Sequence, residues 1–159
     1  MSLIWCGQID DCFAEAFLRY REKEDCEHTL VLKSPGGDAG SFFAVYDAMQ
    51  LDGDWTTVGT GEIASAATLL VSSGVIRILT PHTRLMLHRG IIDPPAGLNA
   101  SSLDGYSQEM NWWEAQIYRI LAKTTGTSVE KWQKRLAPGD LFLSADEAVK
   151  LKLADRIVK

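Results

Sequence analysis

The sequence predicts an α/β domain, in which helices alternate with the strands of a largely parallel sheet. The main observation is a pattern of apolar strand, glycine turn and helix that occurs twice. It runs from residues 29–32 through Gly36-Gly37 into a first helix, and from residues 55–58 through Gly59-Thr60-Gly61 into a second helix near Ser65. Such β-α-β repetition places ligand sites at the carboxyl ends of the strands.

Apolar periodicity predicts the other elements. We expect strands at residues 3–6, 75–79, 83–87 and 154–158, an apolar run at 141–143, and helices at 13–20, 42–51, 103–123, 128–136 and 145–151. Residues 91–99 carry Pro94 and Pro95 and predict an extended excursion. The apolar stripe of the long helix 103–123 fits core packing and contact with a partner subunit equally well.

Length and charge exclude several classes of protein. At 159 residues the chain is long enough for one domain with a real core, and we expect a single domain over residues 1–159. A net charge of −5 disfavours a nucleic-acid surface. The three cysteines share no metal-ligand spacing and indicate reduced thiols. Because no signal peptide or membrane span is recognisable, a cytoplasmic protein is expected.

Ser65 is the first candidate functional residue. It falls near the start of a helix, where unpaired backbone N–H groups and the positive end of the helix dipole gather. A hydroxyl there can act as a nucleophile, because a nearby backbone donor can hold the oxyanion that forms. The alternative is that Ser65 caps the helix by accepting a hydrogen bond from a backbone N–H group.

Three further features complete a candidate constellation. His88 closes an apolar strand just before a glycine, and Asp140 stands between a Pro-Gly turn and an apolar run. Gly36-Gly37 leaves backbone N–H groups unobstructed and lacks the phosphate-binding motifs, so an oxyanion-binding turn fits it better than a nucleotide site. A nucleophile, a base, an orienting carboxylate and oxyanion donors are the parts of a serine hydrolase.

Five blocks of sequence, in unbroken order over nearly the whole chain, resemble the proteolytic subunit of the Clp protease. They are Ser34-Pro35-Gly36-Gly37, Val45-Tyr46-Asp47-Ala48-Met49-Gln50, Gly61-Glu62-Ile63-Ala64-Ser65-Ala66-Ala67, Pro81-His82-Thr83-Arg84-Leu85-Met86-Leu87-His88 and Asp140-Leu141-Phe142-Leu143-Ser144-Ala145-Asp146-Glu147-Ala148. The resemblance implies a crotonase-like α/β fold, built as a repeated β-β-α superhelix with a projecting handle helix in the region of residues 91–124.

The resemblance also implies a function as a serine endopeptidase and a role for each candidate residue. Ser65 would be the nucleophile, His88 the general base and then acid, and Asp140 the orienting carboxylate. The backbone N–H groups of Gly37 and Ala66 would form the oxyanion hole. A peptide or unfolded-protein substrate would lie extended beside a set of substrate-binding residues. This set comprises Gly36, Gly37, Asp38, Ala39, Arg89 and Gly90. No cofactor and no metal are expected.

For the assembly, the resemblance implies homo-oligomers in rings of seven, single or doubled. The chain begins almost at its first strand, so we expect the family's N-terminal gating segment to be missing, which weakens the expectation of a Clp-type ATPase partner. Two other functions stay open: a non-catalytic assembly protein with the same fold, and an acyl-CoA enzyme of the crotonase type. Asp93, Asp104 and Asp155 are poorer candidates than Asp140 for the third triad position.

Overall fold

The structure is a computed structural model, and it describes residues 1–91 and 96–158. Pro94, Pro95 and Asp93, which the sequence analysis singled out, lie outside the described residues. The strands are β1 (Leu3–Cys6), β2 (Thr29–Ser34), β3 (Thr56–Ala64), β4 (Ile76–Leu79), β5 (Arg84–Leu87), β6 (Leu141–Ser144) and β7 (Arg156–Ile157). The helices are α1 (Asp11–Arg21), α2 (Ala39–Asp52), α3 (Ala66–Val71), α4 (Ala100–Thr125), α5 (Val129–Leu136) and α6 (Ala145–Lys150).

The predicted α/β fold with a largely parallel sheet is confirmed. Within the described chain, β1, β2, β3, β4 and β7 lie side by side in that order, and each neighbouring pair is parallel. Strand β5 also pairs with β3 in parallel, and β6 extends the sheet by an antiparallel pairing with β5. The buried apolar side chains of helices and strands form one core cluster, with Trp55, Phe17 and Trp132 among its largest fully buried members.

The predicted glycine turn at residues 59–61 is wrong, because β3 continues through it to Ala64. Leu32 on β2 pairs with Gly59, but Ser34 pairs with Ile63, so two residues along β2 correspond to four along β3. This is a β-bulge, and Gly61 supplies the left-handed backbone (φ 62°) that such a bulge favours. The glycines thus shift the register inside one strand, and the chain turns only at residue 65.

Helix α4 is longer than the sequence predicts, because it runs over 26 residues from Ala100 to Thr125, and the side chain of Asn99 caps its first turn. The sequence left core packing and contact with a partner subunit open for its apolar stripe, and the two halves of the stripe differ in burial. Tyr118, Ile120 and Leu121 in the C-terminal half are buried in the core, whereas Leu103 and Trp112 in the N-terminal half are about half exposed. None of the described helices combines the length and the apolar character needed to cross a bilayer.

Candidate active site

Four chain segments with candidate residues meet at one edge of the sheet. Strands β2, β3 and β5 are neighbours and run in parallel, so their carboxyl ends lie together. The glycine pair follows β2, Ser65 follows β3 and His88 follows β5. Because β6 is antiparallel to β5, its beginning lies at the same edge, and Asp140 directly precedes it. The topology therefore gathers all the predicted triad positions at the site expected for an α/β sheet.

The side chains of Ser65 and His88 are hydrogen-bonded. Nε2 of His88 lies 2.8 Å from Oγ of Ser65. The Ser65 hydroxyl makes no capping hydrogen bond to the helix that it precedes. The alternative of a helix-capping serine is therefore wrong, since the hydroxyl faces an imidazole rather than the free N–H groups of α3. A base within hydrogen-bond reach is the geometry that activates a serine nucleophile.

The backbone of Ser65 occupies a conformation that non-glycine residues rarely adopt, with φ 54° and ψ −124°. Neighbouring elements hold it there. Its N–H group donates to the carbonyl of Met86 on β5 at 2.8 Å. A strained serine on a sharp strand-to-helix turn, with its hydroxyl exposed above the sheet, is typical of nucleophile elbows.

Thr68 is a residue beside the candidate site that the sequence did not predict. It is fully buried in the first turn of α3, and its Oγ1 lies 2.8 Å from the carbonyl oxygen of Ile63 and 2.9 Å from that of Met86. Its single hydroxyl proton can thus be shared between β3 and β5. A buried threonine three residues after the strained serine was the available signal, since it joins the strand ends on which Ser65 and His88 depend.

Relief of this backbone strain gives a stability prediction. We expect Ser65→Gly to unfold at a higher temperature than Ser65→Ala, by about 2–4 °C, which corresponds to about 1 kcal/mol. Both variants lack the hydroxyl, so the comparison isolates the φ 54° backbone, which glycine adopts readily and alanine does not. Thermal unfolding of the two purified variants measures the difference. Equal or reversed midpoints would show that the turn stores no strain.

The glycine turn packs directly against the Ser65 turn. A Cβ atom on Gly36, where φ is 96°, would lie 2.6 Å from Cβ of Ser65 and 2.7 Å from the carbonyl oxygen of Ala64. Gly37 forms a parallel bridge with the buried Ile9, whose N–H and C=O bond to Gly36 and Asp38. In that bridge the N–H group of Gly37 points away from Ile9.

Two backbone donors therefore remain free beside Ser65. Among the described residues, the N–H group of Gly37 has no hydrogen-bond acceptor. Ala66 is the first residue of α3, where a helix leaves its N–H groups unpaired. Donors from two separate turns next to one hydroxyl can stabilise the oxyanion of a tetrahedral intermediate.

A bulkier residue at the glycine turn is predicted to disable this arrangement. We expect Gly36→Ala to lower kcat/KM for peptide hydrolysis by roughly 10²–10³-fold, the cost of one misplaced oxyanion donor. The new Cβ would push the turn away from Ser65. Gly53→Ala is the matched control, because Gly53 also has a positive φ (77°) but no atom within 4 Å of an added Cβ. Equal activity losses in both variants would contradict the prediction.

Asp140 is not hydrogen-bonded to His88. The Nδ1 atom of His88 is buried and has no hydrogen-bond partner within the described chain. Asp140 is exposed, although the pairing of Leu87 with Leu141 places it directly opposite His88 one step beyond the β5–β6 ladder. The structure thus brings two of the three predicted triad side chains together and leaves the third at the correct register position without a bond. Asp104 and Asp155 are not hydrogen-bonded to His88 either.

A cavity of about 570 Å³ opens beside the Ser65–His88 pair, a size common for ligand sites. Its polar end carries the hydroxyl and imidazole together with Gly37 and Ala66. The rest is mostly apolar and lies between α2, α3 and the middle of α4. This apolar part is lined by Phe42, Phe43, Leu69, Met110, Trp113 and Ile117.

The predicted substrate-binding residues divide into two groups. Gly37, Asp38, Ala39 and Gly90 line the cavity. Gly36 instead packs under Ser65, and the guanidinium of Arg89 is paired with a carboxylate on α4. In residues 1–91 and 96–158, no three His, Cys, Asp or Glu side chains come together as metal ligands could.

Comparison with known proteins agrees with this fold. The sequence model of the family described as Clp protease matches residues 3–159. The chain belongs to the Clp protease family. It is 33% identical to ATP-dependent Clp protease proteolytic subunit 1 of Bifidobacterium longum (strain NCC 2705), over 99% of this chain and 70% of that protein. It is 32% identical to the ATP-dependent Clp protease proteolytic subunit of Porphyromonas gingivalis (strain ATCC BAA-308 / W83), over 99% and 73%.

A third relative, ATP-dependent Clp protease proteolytic subunit 1 of Thermobifida fusca (strain YX), is 33% identical over 98% of this chain and 73% of its own length. The resemblance inferred from the five sequence blocks is therefore confirmed. Membership of this family makes the chain a peptidase by descent.

Proposed function

We propose that the protein is a serine endopeptidase in which Ser65 is the nucleophile and His88 is the general base. The observation that carries the proposal is the 2.8 Å hydrogen bond between His88 Nε2 and Ser65 Oγ at the mouth of the cavity. The strained backbone of Ser65 supports it, because the surrounding hydrogen bonds hold a conformation whose main effect is to present the hydroxyl.

The reaction would follow the acyl-enzyme route. His88 Nε2 takes the Ser65 proton while Oγ attacks the peptide carbonyl carbon, and the carbonyl oxygen becomes an oxyanion facing the N–H groups of Gly37 and Ala66. When the tetrahedral intermediate collapses, the C–N bond breaks and the imidazolium gives its proton to the leaving amine. A water molecule then attacks the acyl-enzyme, with His88 again acting as base, and Ser65 regains its proton.

Asp140 is proposed as the carboxylate that orients His88. An imidazole that accepts a proton at Nε2 carries its own hydrogen on Nδ1, and a buried N–H group needs an acceptor. Nδ1 of His88 is buried without one, and Asp140 stands opposite it in the β5–β6 register. Rotation of the exposed Asp140 side chain toward the sheet edge would complete the triad.

The shape of the cavity suggests how a substrate binds. We propose that an extended peptide lies between the turn at residues 36–39 and the segment after His88, paired through its backbone. A large apolar side chain next to the cleaved bond would enter the apolar part of the cavity. The substrates would then be peptides or unfolded proteins, because only an accessible extended backbone fits such a cleft.

Two observations support a proposal about assembly: the names of the relatives and the exposed apolar side chains of α4. The names of the three relatives describe proteolytic subunits, and the N-terminal half of α4 exposes apolar side chains that another subunit could cover. We propose that residues 1–159 act as one peptidase domain in a homo-oligomeric ring enclosing the active sites, seven subunits to a ring, singly or in pairs. The relatives' names also say ATP-dependent, so coupling to a Clp-type ATPase is part of the proposal.

Covalent labelling tests the proposal directly. A fluorophosphonate probe should modify Ser65 as Oγ displaces fluoride, and peptide mass spectrometry should locate the adduct on that residue. Labelling should disappear in Ser65→Ala. An assembled, folded sample that neither reacts with the probe nor cleaves any fluorogenic peptide would instead support a non-catalytic assembly protein.

A further inference from the structure

Arg89 and Gly90, which directly follow His88, both contact helix α4. The guanidinium of Arg89 donates two hydrogen bonds to the carboxylate of Glu114, from Nε to Oε1 at 2.8 Å and from Nη2 to Oε2 at 3.2 Å. The next residue, Gly90, lies so close to α4 that an added Cβ would be 2.7 Å from Sδ of Met110. Met110 and Glu114 are four residues apart and so share one face of the helix.

Glu114 is well placed to act as a fixed anchor. Its side chain is only 15% exposed, and its Oε1 also lies 3.5 Å from the hydroxyl of the buried Tyr118. Burial raises the pKa of Tyr118, which keeps the phenol protonated and able to donate. A two-point guanidinium–carboxylate pair adds fixed geometry to its energy, unlike a single exposed ion pair.

In this structure the position of the His88 ring depends mainly on the backbone that carries it. Its Nδ1 has no partner within the described chain, so the hydrogen bond to Ser65 is the only polar contact that fixes the ring. On the N-terminal side the backbone is held by β5 up to Leu87. On the C-terminal side residues 88–91 belong to no helix or strand, and among the described residues the pair between Arg89 and Glu114 is the nearest side-chain restraint.

We propose that Arg89 and Glu114 are a positioning pair that holds the segment after His88 against α4 and keeps the imidazole within reach of Ser65. The inference rests on the proposed peptidase function. Neither side chain touches the reacting atoms, so the pair acts through the backbone of His88. Its loss should slow the chemical step more than it weakens substrate binding, since small displacements of a catalytic group are costly.

The test compares Arg89→Met, Glu114→Gln and the charge-reversed double variant Arg89→Glu/Glu114→Arg in the assembled protein. We expect each single variant to lower kcat for a fluorogenic peptide roughly 10-fold with little change in KM. The rate of fluorophosphonate labelling at Ser65 should fall by a similar factor. The double variant should recover a substantial part of both rates. Glu15→Gln is the matched control, because it breaks an exposed ion pair with Arg19 on α1.

The possible outcomes distinguish a failure of the proposed peptidase function from a failure of the positioning role of Arg89 and Glu114. Wild-type protein that is not labelled at Ser65 would overturn the proposed function and this inference with it. Wild-type labelling with unchanged rates in both single variants would overturn the positioning role alone. Rate losses that the charge-reversed double variant does not restore would also overturn the positioning role. Rate losses that accompany a lowered unfolding temperature or a changed elution volume would overturn it too, because they indicate a purely structural or assembly role.

Discussion

Ser65→Ala is expected to lower kcat/KM for peptide hydrolysis by roughly 10⁵–10⁶-fold. The variant removes the oxygen that lies 2.8 Å from His88 Nε2, and no other hydroxyl is hydrogen-bonded to that nitrogen in the described part of the chain. Residual turnover would come from the oxyanion donors acting on water. Initial rates with a fluorogenic peptide, measured at equal concentrations of assembled protein, give the ratio.

The control is Ser73→Ala, which deletes a hydroxyl just beyond the other end of α3. Oγ of Ser73 donates to the carbonyl of Leu69 at 2.6 Å and faces no base. This variant should keep nearly full activity. If Ser65→Ala also kept it, the hydroxyl would not be the nucleophile, and the peptidase reaction would need another group or would not belong to this site.

Asp140→Asn is expected to lower kcat by roughly 10³–10⁴-fold with a small effect on KM. An asparagine keeps the size of the side chain but cannot stabilise the imidazolium that forms on His88. The expectation depends on the buried, unpaired Nδ1 of His88 and on the register that places Asp140 opposite it. Steady-state kinetics in the assembled protein separates the effect on kcat from that on KM.

Asp146→Asn is the control for Asp140→Asn, since Asp146 is an exposed carboxylate in the first turn of α6, just beyond the other end of β6. It should leave kcat within about twofold of wild type, as is usual for exposed surface positions. An equally small effect of Asp140→Asn would show that His88 works without a carboxylate partner. The buried Nδ1 would then have to find its acceptor elsewhere.

Local signals in the sequence predicted most elements of this fold. The apolar run before Gly36, the helices predicted at residues 13–20 and 145–151, and the long apolar stripe of α4 all correspond to a strand or helix of the structure, with ends moved by a few residues. Capping side chains and apolar periodicity act over a few residues, so they can be read without knowing the tertiary structure.

The glycines at 59–61 show where local reading fails. A positive φ at Gly61 is compatible with a turn and with a bulge, and the sequence does not distinguish them. Strand β3 is continuous through these glycines because it pairs with β2 on one side and with β4 and β5 on the other. The same long-range pairing shifted the register so that Gly36 came to lie against Ser65.

Some residues of the candidate site could likewise be predicted from the sequence, and others could not. His88 and the glycine pair were predicted because each follows an apolar strand, and Ser65 was predicted because it lies near the start of a helix. Parallel strands bring their carboxyl ends to one edge of the sheet. Thr68 and Glu114 were not predicted, because a buried threonine and a helical glutamate look ordinary until their partners on other elements are known. The position of Asp140 was predicted, but its missing contact with His88 was not.

By itself, the sequence determined the α/β class, the order of the elements and the family, since these depend on local periodicity and on motifs in fixed order. Only the tertiary structure decided that the Ser65 hydroxyl faces an imidazole, that its backbone is strained, and that Arg89 is fastened to α4. Distances between side chains on different elements depend on strand register and helix packing, which many weak contacts across the whole chain set together.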